Sequence, residues 1–150
     1  MKRRLAVAAS LTLAALLAGC AASGPKFAEV AKTMPTIKPG EGRIYFFRSD
    51  SMFGAAMQPE IRLNNQVVGT SKPGGFFFVD RPAGTYVAAA ATETEKTASF
   101  KLDAGETKYL RTSPSMGVMV GRIVIEIEDA AKARGEIETL SYTGGTTAAK

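Results

Sequence analysis

Apolar positions along this chain follow two different rules. From Leu5 to Ala18 they are continuous, interrupted only by Ser10 and Thr12. From Gly42 onward they come in short β-branched and aromatic bursts, separated by Gly, Pro, Asn and Asp. Many bursts alternate with polar residues, and a period of two places successive side chains on opposite faces of a strand. Arg43-Ile44-Tyr45-Phe46-Phe47-Arg48 reads as a strand bracketed by Gly42 and Ser49-Asp50. Glu60-Ile61-Arg62-Leu63 alternates cleanly, and Asn64-Asn65 suits a tight hairpin into Gln66-Val67-Val68-Gly69, because asparagine tolerates positive φ. Phe76 to Val79 is unbroken, as in a strand buried on both faces. Pro82-Ala83-Gly84 turns into Thr85 to Ala91, Thr97 to Leu102 alternates again, and Asp103 to Glu106 turns into Thr107 to Arg111. Val118 to Glu128 is the longest predicted strand, with Met119, Ile123, Ile125 and Ile127 on one face.

Turn signals recur roughly every 8–15 residues and helical periodicity is scarce. The expected fold is therefore all-β, an antiparallel β-sandwich of about seven or eight strands over residues 42–142, with a short C-terminal helix. Asp129 can cap that helix, in which Ala130, Ala133, Ile137 and Leu140 share one face. Gly135 inside it costs about 1 kcal/mol relative to alanine. Glu136 to Tyr142 also reads as a strand. Residues 143–150 are small and polar, and are expected to be disordered. Residues 20–41 read mainly as a tether, with Pro25, Pro35 and Pro39. Within it, Phe27, Val30, Ala31 and Met34 recur at helical spacing and allow a short helix packing on the domain. As a flexible coil its twenty-one residues after Cys20 span roughly 25 Å.

The continuous apolar run follows Lys2, Arg3 and Arg4, and is too short for a membrane span of about 20 residues. It has the layout of a secretory signal. It ends in Leu17-Ala18-Gly19-Cys20, which resembles the lipobox of bacterial lipoproteins. That resemblance implies cleavage of residues 1–19, diacylglyceryl attachment to the Cys20 thiol and acylation of the new amino group. Several acyl chains, at about 0.8 kcal/mol per buried methylene, hold a soluble domain on a membrane stably where one does not. In lipoproteins, acidic residues after the cysteine mark retention at the inner membrane. Ala21 stands there instead, which implies an outer-membrane anchor with the domain facing the periplasm.

Removing the signal changes the charge. The whole chain carries +5, but three of its 19 basic residues and none of its 14 acidic ones lie in residues 1–19. Sixteen then face fourteen, leaving +2, and a nucleic-acid partner is not expected. The chain has no histidine and one cysteine. Histidine-based acid–base catalysis, Ser–His and Cys–His nucleophiles and multi-cysteine metal sites are thereby excluded. No catalytic, metal or cofactor site is expected.

A second resemblance covers about residues 42–140. Gly42-Arg-Ile-Tyr-Phe-Phe-Arg48, Ile61 to Gly69, Gly75-Phe-Phe-Phe-Val79, Pro82-Ala83-Gly84, Ala104-Gly105-Glu106 and Tyr109-Leu110-Arg111 come in the order seen in the DUF2846 family. The resemblance implies a prealbumin-like or carboxypeptidase-regulatory-like sandwich in a small envelope protein of no defined activity. It supplies no catalytic residues.

Among candidate chemistry, Glu93/Glu95, Glu126/Glu128/Asp129 and Glu136/Glu138 are paired carboxylates without a partner base, and read as solvated strand edges and a helix N-terminus. Arg43, Arg48, Arg62, Arg81, Arg111 and Arg122 read as salt-bridged outward positions, with an anion-binding face as the alternative. Gly117 and Gly121 match GxxxG, which has no helix-packing meaning in a strand. Ser51-Met-Phe-Gly-Ala-Ala-Met57 and Ser115-Met-Gly-Val-Met119 stand out as flexible apolar segments. They make Met52, Phe53, Met57, Met116 and Met119 the candidate interaction residues, or else the cover of one end of the core. The expected function is a non-enzymatic binding or structural module with an envelope protein or polymer as partner. The alternative is a glycan- or peptidoglycan-fragment-binding domain, for which Tyr45, Tyr86, Tyr109 and Tyr142 are the amphipathic candidates.

Overall fold

Every residue of β1 (Glu41–Arg48) after the first is buried. Ile44 and Phe46 face one side of the strand, and Tyr45 and Phe47 the other, so the chain must supply two covers. The computed structural model describes residues 21–144; the expected leader over 1–19, Cys20 and all but the first two residues of the expected tail over 143–150 lie outside the described residues.

The remaining strands are β2 (Glu60–Leu63), β3 (Gln66–Thr70), β4 (Gly75–Pro82), β5 (Gly84–Ala91), β6 (Glu95–Leu102), β7 (Thr107–Ser115), β8 (Arg122–Ile127) and the two-residue β9 (Ser141–Tyr142). One sheet has the order β8-β7-β1-β4-β9 and the other β3-β2-β5-β6. They stack as a sandwich, and the all-β expectation holds. Between them lie Ile44, Phe46, Phe77, Val79, Leu110, Ile123 and Ile125 of the first sheet, against Ile61, Leu63, Val68, Ala88, Ala90, Phe100 and Leu102 of the second. Two pairings are parallel, β1 with β7 and β4 with β9. The first sheet is thus mixed rather than purely antiparallel, because β7 crosses over from β6 in the other sheet and enters alongside β1 in the same direction.

Local chemistry accounts for the connections. Asn64 and Asn65 both take positive φ, 47° and 66°, as the predicted two-residue hairpin requires. Helix α2 (Ala130–Ile137) is capped by Asp129, whose carboxylate accepts from the amides of Ala131 and Lys132. The stretch 129–142 resolves into both of its readings, a helix followed by β9. Ala133, Ile137 and Leu140 cover Tyr45, Phe47, Phe76 and Tyr109 on the outer face of the first sheet.

The rest of that cover comes from α1 (Phe27–Val30), with Phe27, Val30 and Met34 packed on the same cluster. Residues 21–41 are therefore docked, contrary to the flexible tether expected for most of 20–41. The Ala22 amide donates to the Pro73 carbonyl and the Tyr142 amide to that of Pro25, each closing the segment onto the sheet. The long strand expected from Val118 is also shorter than its composition suggested. β8 begins at Arg122, and Met119 belongs to a loop.

Candidate functional site

The strand directions bring four connections to one end of the sandwich, beyond the C-terminal end of β1. They are residues 49–59, 71–74, 92–94 and 116–121. Two of them, 49–59 and 116–121, carry large apolar side chains in the open. Exposure runs from 52% for Phe53 to 85% for Met52 and Met119, with Met116, Val118 and Val120 between. An open groove of about 450 Å³ runs between the two loops. Apolar residues this exposed gain nothing from burial, so something other than packing must hold their backbones.

Arg48 holds the first loop. Its side chain is 1% exposed, and its guanidinium donates to the carbonyls of Met57 at 2.6 Å and Gly54 at 2.7 Å. Burial pushes its pKa down from the ordinary arginine value. Glu93 holds the second. Its carboxylate accepts from the amides of Val118, Met119, Val120 and Gly121 at 3.2–3.4 Å. These hydrogen bonds, that of Gly121 first, hold the carboxyl below the usual glutamate range. The wrapping needs glycine at both ends. A Cβ on Gly117 would lie 2.1 Å from the Glu93 Oε2 atom, and Gly121 has φ +120°. The two loops meet at Met57, whose Sδ and Cε would be 3.1 Å from a Cβ on Gly121.

Of the candidate interaction residues, Met52, Phe53, Met116 and Met119 thus come together at one exposed end. Met57 lines the groove with them but is half-buried and packs against the core beneath the loops. Val118, inside the segment Ser115 to Met119, and Val120, just beyond it, are exposed beside those four.

Glu95, Glu128 and Glu136, among the carboxylates named from the sequence, have structural partners. Glu95 pairs with Arg62 at 2.8 Å, and Glu128 with Arg111 at 2.8 Å and Lys132 at 3.1 Å. Glu136 binds Arg111 and Ser49. Arg62 fits the outward, salt-bridged expectation. Arg43 and Arg48 correct it: both are buried, because β1 has no solvent face. Arg43 makes a two-pronged contact with Asp80, both at 2.7 Å, and lies over the Phe78 ring at 4.6 Å. Among the described residues no three His, Cys, Asp or Glu side chains are grouped to hold a metal ion.

The tyrosines stand elsewhere. Tyr45 and Tyr109 stack at 5.3 Å, both buried under the helices, and border a cavity of about 130 Å³ with Phe27, Arg134, Ile137 and Glu138. Burial raises the Tyr45 pKa above its ordinary value. Tyr86 and Tyr142 are half-buried.

Residues 38–123, from just before β1 into β8, match the family described as "Protein of unknown function (DUF2846)". The chain belongs to this family. The DUF2846 match stops short of α2 and β9, which nonetheless complete the cover of the first sheet. The chain is also 24% identical over 145 residues to an uncharacterized protein of Haemophilus influenzae (strain ATCC 51907 / DSM 11121 / KW20 / Rd), covering 94% of this chain and 86% of that protein. No solved structure matches it.

Proposed function

We propose that this DUF2846 protein is a lipid-anchored, non-enzymatic binding or structural module of the bacterial envelope, held at the outer membrane through Cys20 with its domain in the periplasm. The observation that carries the reading is the pair of apolar loops at one end, exposed yet fixed from beneath by Arg48 and Glu93. Side chains placed this way serve contact, since they contribute little to the fold. Methionine, with its flexible thioether, suits a surface that adapts to what it meets. The acidic clusters support the same reading: Glu93, Glu95, Glu128 and Glu136 are engaged in holding loops, strands and α2 together.

The anchor is tested by intact mass. The mature protein extracted from membranes should begin at Cys20 and carry a diacylglyceryl group and an amide-linked acyl chain. Cys20→Ser should abolish the added mass and release the protein from the membrane fraction. A native protein without acyl mass would sink the reading. The alternative, a glycan-fragment site, has the cavity beside Tyr45 and Tyr109 in its favour. Its volume of about 130 Å³ is below the roughly 300 Å³ of ordinary ligand pockets, and its rings are covered rather than offered as a platform. Glycan-induced shifts in the fluorescence of Tyr109 against a Tyr109→Phe variant would favour it.

A further inference from the structure

We propose that the two apolar loops embed in the bilayer that carries the anchor, so that the domain stands end-on against the membrane rather than hanging from a tether. This rests on the lipid-anchor reading of Cys20. The first support is position. Ala22 donates to the Pro73 carbonyl at 2.9 Å, and Pro73 lies in the connection that leads into β4 beside the end of β1, where Gly75 pairs with Arg48. Two residues of fully extended chain reach only about 7 Å, so an acylated Cys20 keeps the bilayer surface about that close to Ala22. The loop at 49–59 leaves the same strand end, with Asp50 Cβ at 3.4 Å from a Cβ placed on Gly74. The loop at 116–121 touches it through Met57. From β4 to β8 there are three strand spacings, roughly 14 Å. Anchor and apolar loops therefore share one end of the molecule.

The second support is chemistry. Met52, Phe53, Met116, Val118, Met119 and Val120 present no charge. The amides of residues 118–121, which would be costly if left bare near hydrocarbon, are hydrogen-bonded to the Glu93 carboxylate. Charged residues at the surrounding strand ends are of both signs, among them Lys26, Lys72 and Arg122 with Asp50, Glu60 and Glu95, and Glu136 is paired with Arg111. Cations and anions thus nearly balance, and the contact is apolar rather than electrostatic.

The third support is tethering. A patch of six side chains alone binds a membrane weakly and reversibly. Acyl chains at the same end hold it at the surface and make its insertion an intramolecular event.

The test uses the full acylated protein reconstituted in vesicles of phosphatidylethanolamine and phosphatidylglycerol. Acylation consumes the thiol of Cys20, so a cysteine introduced by Met119→Cys, or separately by Phe53→Cys, is the free thiol for an environment-sensitive fluorophore. Ala104→Cys, in the turn beyond the opposite end of β1, serves as the aqueous reference. The inference expects labels at 119 and 53 to be blue-shifted, quenched several-fold less by iodide than the label at 104, and quenched by nitroxide-bearing phospholipids, in high salt as in low. Labels at 119 and 53 as open to iodide as the one at 104 would overturn it. So would labels shielded from iodide but beyond reach of the lipid nitroxide, which would mean that a second copy covers the loops. Intact mass separates the two levels: an acylated protein with aqueous loops overturns this inference alone, whereas missing acyl mass removes the anchor and this inference with it.

Discussion

Two regions of this molecule are rich in apolar side chains, and they are built on opposite principles. On the outer face of the first sheet, Tyr45, Phe47, Phe76 and Tyr109 are roofed by α1 and α2, and ring packs against ring: Phe76 lies 5.7 Å from Phe27 and 5.5 Å from Tyr142. At the loop end, Met52, Phe53, Val118 and Met119 face outward, and the order comes from Arg48 and Glu93 underneath. In the first region the apolar groups hold the structure. In the second, polar groups hold the apolar ones out. The same residue types therefore carry stability in one place and contact in the other.

The largest effect should come from breaking the roofed face. Phe76 is fully buried, and Phe76→Ala should cost about 3–5 kcal/mol, read as a lower midpoint in urea at unchanged slope. A smaller cost would mean that the helices settle onto the gap, and that the roof is looser than its ring contacts imply. Next is the polar clasp that ties the roof down. Arg111 joins Glu128 and Glu136 and lies over Phe47 at 4.9 Å. Arg111→Ala strands two partly buried carboxylates, and after discounting for their exposure should cost about 2 kcal/mol. Thermal denaturation checks it, with amides of α2 expected to lose protection first.

The contrast also shows where sequence reasoning works. Strands, the Asn64-Asn65 hairpin and the Asp129 cap could be read directly, because each rests on residues within a few positions of one another. What escaped depends on distant partners. The roof joins residues 27–34 to residues 130–140, so the burial of Arg43 could not be inferred from β1 itself, and Arg48, on the opposite face, is covered by the loop at 49–59. Val118 to Gly121 look like strand because β-branched Val118 and Val120 run straight into the apolar alternation from Ile123. Their amides go instead to Glu93, 25–28 positions away. Gly117 and Gly121 were the visible signal of that loop, but they gain meaning only beside Glu93. The exposed methionines could be seen in the sequence as unusual, whereas the separation of Met57 from them required the packing beneath.

The Glu93 clasp gives a smaller and more local effect than either roof variant. Its carboxyl is held below the ordinary glutamate value of 4.5 by the loop amides. A depressed folded-state pKa means that the ionised form contributes order above the unfolded value, and that this order is lost as pH falls through the folded one. Amide resonances of Met119 and Gly121 should therefore hold their positions well into the acid range and then shift together. In Glu93→Gln they should be shifted already at neutral pH and no longer titrate there. If the wild-type resonances moved at the ordinary glutamate value or above, the carboxylate would not be the clasp.

The smallest expected effect is the most discriminating. Changing Met52, Phe53 and Met119 together to serine removes three exposed apolar side chains of the two loops while leaving Arg48, Glu93 and Met57 in place. Surface substitutions away from caps, cores and networks fall within about 0.5 kcal/mol each, so the melting temperature should barely move. Extending the change to Met57, which packs on the core, should lower the melting temperature clearly by comparison. The step between the triple and quadruple variants thus measures where contact surface ends and core begins. A large drop in the triple variant would place these side chains among the supports of the fold, and the distinction between the two regions would collapse.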